Sequence, residues 1–272
     1  MPLPPTGFSP RQRALALLRS THKTFMMKRL PDRLAIYFHA LEPADRPQFR
    51  ACIAFFASEG YRFVPVSQFV DPDLTGRALF VSFDDNYKNW HDSLEFFADV
   101  KVRATFYVNS QPFMDTCAEP ERRAYFQRIA YPGPPLSMTT NQLRELAQAG
   151  HAIGCHSHSH HNLARLDRSR WQAEILDSRN RLEDLLARPI VDFAYPYGMR
   201  RFFSERLRAY CRSLGFETIA SAIPGLQHAA PIDPFNIHRT RWNFTSTLEE
   251  NVEDLRIDGR LFEALTGRSA VG

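Results

Sequence analysis

A chain of 272 residues, 44% of them hydrophobic and 12% aromatic, is long enough to fold as one α/β domain around a single core. The formal net charge is +4, and the 34 Lys and Arg residues are scattered among 30 Asp and Glu residues without a long cationic run. This composition gives no reason to expect a nucleic acid partner.

The first segment, residues 1–33, is basic and partly amphipathic. We expect a helical extension packed on the domain that follows, residues 34–272, with its cations solvated. Peripheral contact with an anionic membrane is the alternative. The sequence predicts neither a signal peptide nor a transmembrane helix. Four widely spaced cysteines without a CxxC pair favour reduced thiols and a cytoplasmic location.

From residue 34 onward, β-branched or aromatic runs alternate with helical patterns. The predicted strands are 34–38, 78–83, 103–109, 152–156, 191–195, 218–222 and a weaker seventh at 236–242. Helical patterns cover 139–150 and 169–187, whereas 111–137 is predicted to be an irregular functional loop. Repeated βα units predict a parallel sheet, either doubly wound or closed into a barrel, with chemistry at the carboxyl ends of its strands.

Two consecutive carboxylates, Asp84 and Asp85, end the apolar run LFVSF. Strand residues alternate faces, so both can address one centre only if the pleat breaks directly after Phe83. In such a pair, one carboxylate can bind a divalent metal while its neighbour accepts a proton from water. A helix cap or a turn is the structural alternative.

Four histidines fall within the six positions 156–161, at the end of another predicted strand. His156 and His160 are four residues apart, a spacing that lets both imidazoles reach one cation if the chain turns there. Solvated histidines at a helix start are the alternative.

Taken together, these motifs resemble those of the polysaccharide deacetylases, the NodB-homology group of carbohydrate esterase family 4. SFDDN (82–86) resembles the first family motif, HSHSHHNL (156–163) the second and FAYPYG (193–198) the third. The resemblance covers roughly residues 34–245. It implies an α/β fold, a distorted (β/α) barrel with about seven parallel strands.

The resemblance also implies site residues for a metal-dependent carbohydrate N-deacetylase. Asp84 resembles the catalytic base, and Asp85, His156 and His160 resemble a metal triad, most simply for Zn²⁺. Three protein ligands leave a position open for water and substrate. Water bound there would attack the N-acetyl group of an amino sugar, with the Tyr197 backbone N–H stabilising the oxyanion. Candidate substrate contacts are Tyr195, Pro196 and Trp242.

The chain departs from the family pattern at three places. Asn86 replaces the usual Gly, and Asn tolerates left-handed backbone well enough to keep the turn. Ala194 replaces the Arg that orients the base, so we expect Arg239, or else Arg241, to supply the guanidinium. The usual general acid has no counterpart, and His238, His39 and His228 stay open as candidates.

The substrate is expected to be an acetylated amino sugar, with a nucleotide or lipid carrier as one possibility. Two other interpretations of the motifs remain. The HxH of His156 and His158 also occurs in amidohydrolases, although there it belongs to the first strand. The second interpretation is a sugar-binding relative that has lost catalysis. Ala194 and the missing general acid are the reasons for considering it.

Overall fold

The computed structural model describes residues 30–225, 227 and 231–256, and a parallel sheet lies at its centre. The strands are β1 (Arg33–Phe38), β2 (Arg62–Phe63), β3 (Ala78–Asp85), β4 (Thr105–Val108), β5 (Ala152–Cys155), β6 (Asp192–Ala194), β7 (Thr218–Ala220) and β8 (Thr240–Arg241). Seven of them follow the order β7-β6-β5-β4-β3-β1-β8, and β2 pairs beside β3. This confirms the predicted α/β class with seven parallel strands. The two-residue β2 was not predicted, because so short a run carries no pattern.

One segment links both ends of this sheet into a distorted barrel. Ile237 pairs with Ala220 of β7 in parallel, and a few residues later β8 pairs with β1 through Ile36 and Tyr37. The weak seventh strand predicted at 236–242 is therefore the closing strand, interrupted in its middle. Arg239 lies in that interruption, inside the barrel and fully buried.

Helices cover the outside of the sheet. They are α1 (Arg46–Ser58), α2 (Val66–Phe69), α3 (Lys88–His91), α4 (Leu94–Asp99), α5 (Glu119–Arg128), α6 (Thr140–Gln148), α7 (Arg168–Trp171), α8 (Asp177–Leu186), α9 (Glu205–Ser213) and α10 (Leu248–Asp254). A π-helical segment, Gln172–Leu176, joins α7 to α8, so the predicted helix over 169–187 is nearly continuous. The predicted irregular loop at 111–137 is wrong in one respect, because α5 forms within it. That helix has little amphipathic pattern, with only Tyr125 and Phe126 buried.

Alternation along β3 places Asp84 in the barrel. Leu79, Val81 and Phe83 pack in the main hydrophobic core, whereas Ala78 and Phe80 belong to a second, smaller cluster. Because strand residues alternate faces, Ser82 and Asp84 continue the face of Ala78 and Phe80. All eight residues of β3 are buried.

The predicted helical extension, residues 1–33, lies outside the described residues except for its last four positions. It stays a prediction, as does the extent of the domain to residue 272. Within the described part of the chain, every helix is too short or too polar to cross a membrane. The four cysteines are all buried and unpaired there.

Candidate active site

Asp84 and Asp85 lie at the carboxyl end of β3 and point in different directions. Pairing with β4 continues through Asp85, opposite Val108, so the strand does not break after Phe83 as predicted. The break comes at Asp85 itself, whose φ is +92°. A non-glycine residue with such a φ is strained, and this geometry re-aims the Asp85 side chain. The Tyr87 hydroxyl, which the sequence reasoning missed, donates to Asp85 Oδ2 at 2.8 Å.

Arg239 holds Asp84 in a two-point ion pair. Its Nη1 and Nη2 atoms each lie 2.7 Å from one Asp84 oxygen, while Nε donates to the Ser221 carbonyl at 2.9 Å. The guanidinium lies between the rings of Tyr37 and Tyr107, 4.8 and 5.0 Å from their centroids. Burial raises the pKa of Asp84, but the Arg239 charge and hydrogen bonds outweigh it, so the net pKa is lowered. Asp84 is therefore an anion at neutral pH.

His156 follows β5 and is oriented by the backbone of β6. Its Nδ1 lies 2.7 Å from the Ala194 carbonyl oxygen, which can only accept a hydrogen bond. Nδ1 therefore carries the proton, and the Nε2 lone pair faces Asp85 Oδ1 at 3.6 Å. Ala194 thus contributes its carbonyl to the site. Burial lowers the pKa of His156, which keeps the imidazole neutral.

His160 approaches the same Asp85 oxygen from a loop with strained backbone. Its Nε2 is 3.3 Å from Asp85 Oδ1, and burial lowers its pKa to about 4. Both His160 (φ +59°) and Ser157 (φ +69°) have left-handed backbone. The Ser157 hydroxyl accepts the His160 N–H at 3.1 Å and so stabilises the turn.

Asp85, His156 and His160 each offer one ligand atom, and these atoms lie within 4.8 Å of one another. The three side chains are buried. Asp85 Oδ1 is fully enclosed and accepts no hydrogen bond from the described residues. An orphaned carboxylate oxygen facing two neutral imidazoles is a donor set that fits a divalent cation. Asp84 lies outside this cluster, because both its oxygens face Arg239.

Asn86 does not have the left-handed backbone that was predicted for it. The positive φ belongs to Asp85, and Asn86 is buried with its amide used on both sides. Its Nδ2 donates to the Asn109 carbonyl at 3.2 Å, and its Oδ1 accepts the Met138 N–H at 3.0 Å. The side chain thus ties the strand end to two neighbouring segments, which glycine would not do.

Tyr197 stands at the rim, with 42% of its surface exposed. Its φ is +64°, its ring centroid lies 5.0 Å from that of His160, and its N–H donates to no acceptor among the described residues. Pro196 is buried beneath it. The predicted oxyanion role of the Tyr197 N–H and the predicted substrate contact of Pro196 stay predictions.

The side chains of Tyr195 and Trp242 are packed in the core, and their predicted role in substrate binding stays a prediction. Each is 3% exposed. Tyr195 stacks on Phe203 with centroids 4.1 Å apart, and Trp242 packs against Phe38 and Phe56. These contacts bury most of both rings in the core.

Of the two candidate acids that the structure describes, His39 is the one that interacts electrostatically with Asp84 and Asp85. It follows β1, whose Phe38 is in register with Phe83, so His39 neighbours Asp84 across the sheet. Burial lowers the pKa of His39 to about 4, and its ring interacts electrostatically with Asp85, Asp84 and His160. The His238 ring instead lies 3.3 Å from the Asn236 amide. His228 is outside the described residues.

His158 does not join the cluster, so the structure gives no support to the HxH interpretation. Its Nδ1 lies 2.9 Å from the Ser110 hydroxyl, and its backbone N–H donates to the Glu174 carbonyl at 2.8 Å. The cluster of possible metal ligands therefore takes His156 and His160, with Asp85, and leaves out His158.

The comparisons with known proteins agree with this fold. A sequence model of the polysaccharide deacetylase family matches residues 71–219, more than half of the chain. The chain therefore belongs to the polysaccharide deacetylase family. The comparison with curated proteins gives no match.

Solved structures show the same fold at low sequence identity. The deacetylase PplD from Streptococcus pyogenes, solved in complex with acetate, is 16% identical with a TM-score of 0.64, covering 82% of this chain and 98% of that one. IcaB from Ammonifex degensii is also 16% identical with a TM-score of 0.64, covering 82% and 96%. The de-N-acetylase from Aggregatibacter actinomycetemcomitans is 14% identical with a TM-score of 0.61, covering 82% and 98%.

The ion pair of Asp84 and Arg239 generates the first prediction. Arg239→Met should lower the free energy of unfolding by about 3–5 kcal/mol at neutral pH, because it leaves a buried carboxylate unpaired. In the wild type, the lowered pKa of Asp84 adds stability above the unfolded pKa, and this is lost as pH falls through the folded pKa. In Arg239→Met the guanidinium is missing, so the burial of Asp84 raises its pKa instead. The deficit should therefore shrink toward about pH 4, where the carboxyl is protonated.

Urea unfolding at both pH values measures this difference. Arg241→Met is the matched control, since Arg241 is exposed two residues away and should change stability by less than about 0.5 kcal/mol. An Arg239→Met deficit that is equally large at both pH values would contradict the electrostatic account.

Proposed function

We propose that this protein is a metal-dependent hydrolase that removes the N-acetyl group from an amino sugar in a glycan or glycan precursor. The observation that carries the proposal is the convergence of Asp85, His156 and His160 beside a carboxylate, Asp84, that is held apart from them by Arg239. Membership of the polysaccharide deacetylase family supports it. PplD, solved with acetate, holds the acid that this reaction would release.

The donor set favours Zn²⁺ as the ion. Two imidazole nitrogens and one carboxylate oxygen match the three protein ligands of catalytic zinc sites, which keep a further position open. Both imidazoles are neutral at pH 7 because burial lowers their pKa values, as metal binding requires. When bound, the ion supplies Lewis acidity that polarises the acetamide carbonyl and makes water acidic.

Asp84 is the proposed base. The two Arg239 bonds fix its carboxylate plane and keep it ionised, while each oxygen retains a lone pair for a proton from the attacking water. Retention of this pair argues against the alternative of a binding protein, because sugar binding alone does not require a buried anion beside the ligand cluster.

Tyr197 is proposed to stabilise the oxyanion through its backbone N–H. Its left-handed φ turns the peptide out of the regular path of the chain after β6, and its ring lies against His160. A donor fixed in this way stabilises the negative charge that develops on the carbonyl oxygen without reorganising during the reaction.

His39 is proposed as the group that protonates the leaving amine. Burial lowers its pKa to about 4, so its ring is neutral before the reaction. As negative charge develops on the substrate beside it, His39 takes up the proton that Asp84 has removed from the attacking water, because an opposite charge favours the imidazolium form. It then donates this proton to the leaving nitrogen as the C–N bond breaks. The net change is addition of water across the C–N bond, giving acetate and the free amine.

A phosphate-linked amino sugar is our hypothesis for the substrate class. Arg241 is exposed, forms no ion pair with any residue in the described ranges, and interacts electrostatically with His39. A cation in this position can bind the phosphate of a nucleotide or lipid carrier. A cytoplasmic location and membrane contact through residues 1–33 are proposals that accompany this hypothesis.

Asp84→Asn tests the proposed base. The variant should retain about one metal ion per chain but release acetate from N-acetylated sugars about 10²–10⁴-fold more slowly, because the base is missing. Metal analysis and acetate release from oligomeric, nucleotide-linked and lipid-linked N-acetylhexosamines measure both properties. Asp85→Asn is the matched control and should lose metal. Equal inactivity of wild type and Asp84→Asn on every substrate would favour the binding protein instead.

His39→Gln tests the proposed acid through the leaving group. Acetate release from an N-acetyl sugar should fall at least about a hundredfold. Hydrolysis of 4-nitrophenyl acetate should change by only a few-fold, because nitrophenolate leaves without a proton. His238→Gln is the control and should affect neither substrate strongly. Equal losses on the amide and the ester would contradict this role for His39.

A further inference from the structure

Glu174 is a buried carboxylate that faces the His160 loop from outside the proposed metal cluster. Its side chain is 5% exposed, and no Lys or Arg of the described residues lies within ion-pair distance. Its charge is met by donors of the loop. Oε2 accepts the Ser159 N–H at 3.0 Å, and Oε1 accepts the Ser159 hydroxyl. The His161 ring nitrogen is 3.4 Å from Oε1.

The π-helical segment presents Glu174 to the loop in two ways. A π turn is wider than an α turn and disturbs the regular backbone ladder. Here the Glu174 carbonyl accepts the His158 N–H at 2.8 Å, while its side chain bonds Ser159. One residue of the helix therefore holds two consecutive residues of the loop.

Ser159, the residue directly before His160, is fixed at every polar atom. Glu174 takes its N–H and hydroxyl, and Arg128 of α5 donates to its carbonyl oxygen at 2.5 Å. The next residue, His160, has a φ of +59°, which is unfavourable for histidine. A strained conformation persists only when its surroundings over-determine it. The hydrogen bonds of Ser159 to Glu174 and Arg128 help to hold His160 in this strained conformation.

We propose that Glu174 is a positioning residue for the metal centre, which holds the His160 imidazole in its ligating orientation through Ser159. The inference rests on the metal site of the proposed function. A buried carboxylate costs stability unless it is well hydrogen-bonded, whereas an apolar residue could fill the same space without that cost. Packing alone therefore does not account for a glutamate at this position. The His160 Nδ1 has no hydrogen-bond partner among the described residues, so no hydrogen bond at that atom orients the ring, and the conformation of the loop backbone has to do so.

Zn²⁺ affinity, measured by competition with a chromophoric chelator, tests this role. Glu174→Ala should weaken binding about 10–100-fold, the usual effect of removing a group that orients a ligand. Glu174→Gln should bind with intermediate affinity, because its amide oxygen still accepts the Ser159 N–H and its NH₂ group can donate to the hydroxyl. Asp184→Ala, an exposed change on α8, is the control and should bind as the wild type does.

Unfolding of the metal-free proteins separates positioning from general stability. A purely structural role predicts a lower Tm with chelator present but unchanged Zn²⁺ affinity of the folded variant, and that result would overturn the proposal. Should Glu174→Ala not fold, wild-type affinity in Glu174→Gln together with a lower Tm would have the same meaning. A wild type that binds no metal would contradict the metal centre and the positioning role together. Metal binding without acetate release would contradict only the proposed function.

Discussion

The buried ion pair between Asp84 and Arg239 connects the closure of the barrel to its chemistry. Arg239 lies on the segment that joins β7 to β1, and Asp84 lies on β3 across the interior. The guanidinium is fully buried, so its carboxylate, hydroxyl and carbonyl partners and two tyrosine rings must compensate for lost solvation. The same contacts keep Asp84 ionised and away from the ligand cluster. Closure of the barrel and the ionised state of the proposed base therefore depend on one contact.

Backbone strain is concentrated in the residues of the candidate site. Of the seven non-glycine residues with positive φ in the described chain, four belong to the site: Asp85, Ser157, His160 and Tyr197. Each such residue costs of order 1–3 kcal/mol, which the surrounding hydrogen bonds must offset. Tyr87 supports Asp85, and Glu174 supports the histidine loop. Three of these strained positions, Asp85, His160 and Tyr197, are those of proposed ligands or of the proposed oxyanion donor.

Much of the fold was predictable because β-branched and aromatic runs mark buried parallel strands whatever surrounds them. The resemblance to the polysaccharide deacetylase motifs also pointed to Asp85, His156 and His160, which the structure brings together, and to Arg239 against Asp84. The break in the pleat was misplaced, because a positive φ at aspartate has no sequence signature. Asn86 was misread for the same reason.

Other contacts depend on tertiary structure that one sequence does not reveal. Trp242 and Tyr195 were expected beside the substrate, but a strand-end aromatic residue can face either the cleft or the core. Glu174 lies in a helix whose pattern gives no hint of a π turn, so its approach to Ser159 could not be foreseen. His39 became distinguishable from His238 only when the register of β1 with β3 was known.

X-ray absorption spectroscopy of the zinc-loaded protein tests the central claim most directly. The account predicts one ion per chain with two imidazole nitrogens and one carboxylate oxygen, each at about 2.0–2.2 Å, and a coordination shell that is unchanged in Asp84→Asn. A protein that binds no ion, or a shell that loses an oxygen ligand when Asp84 is replaced, would contradict it.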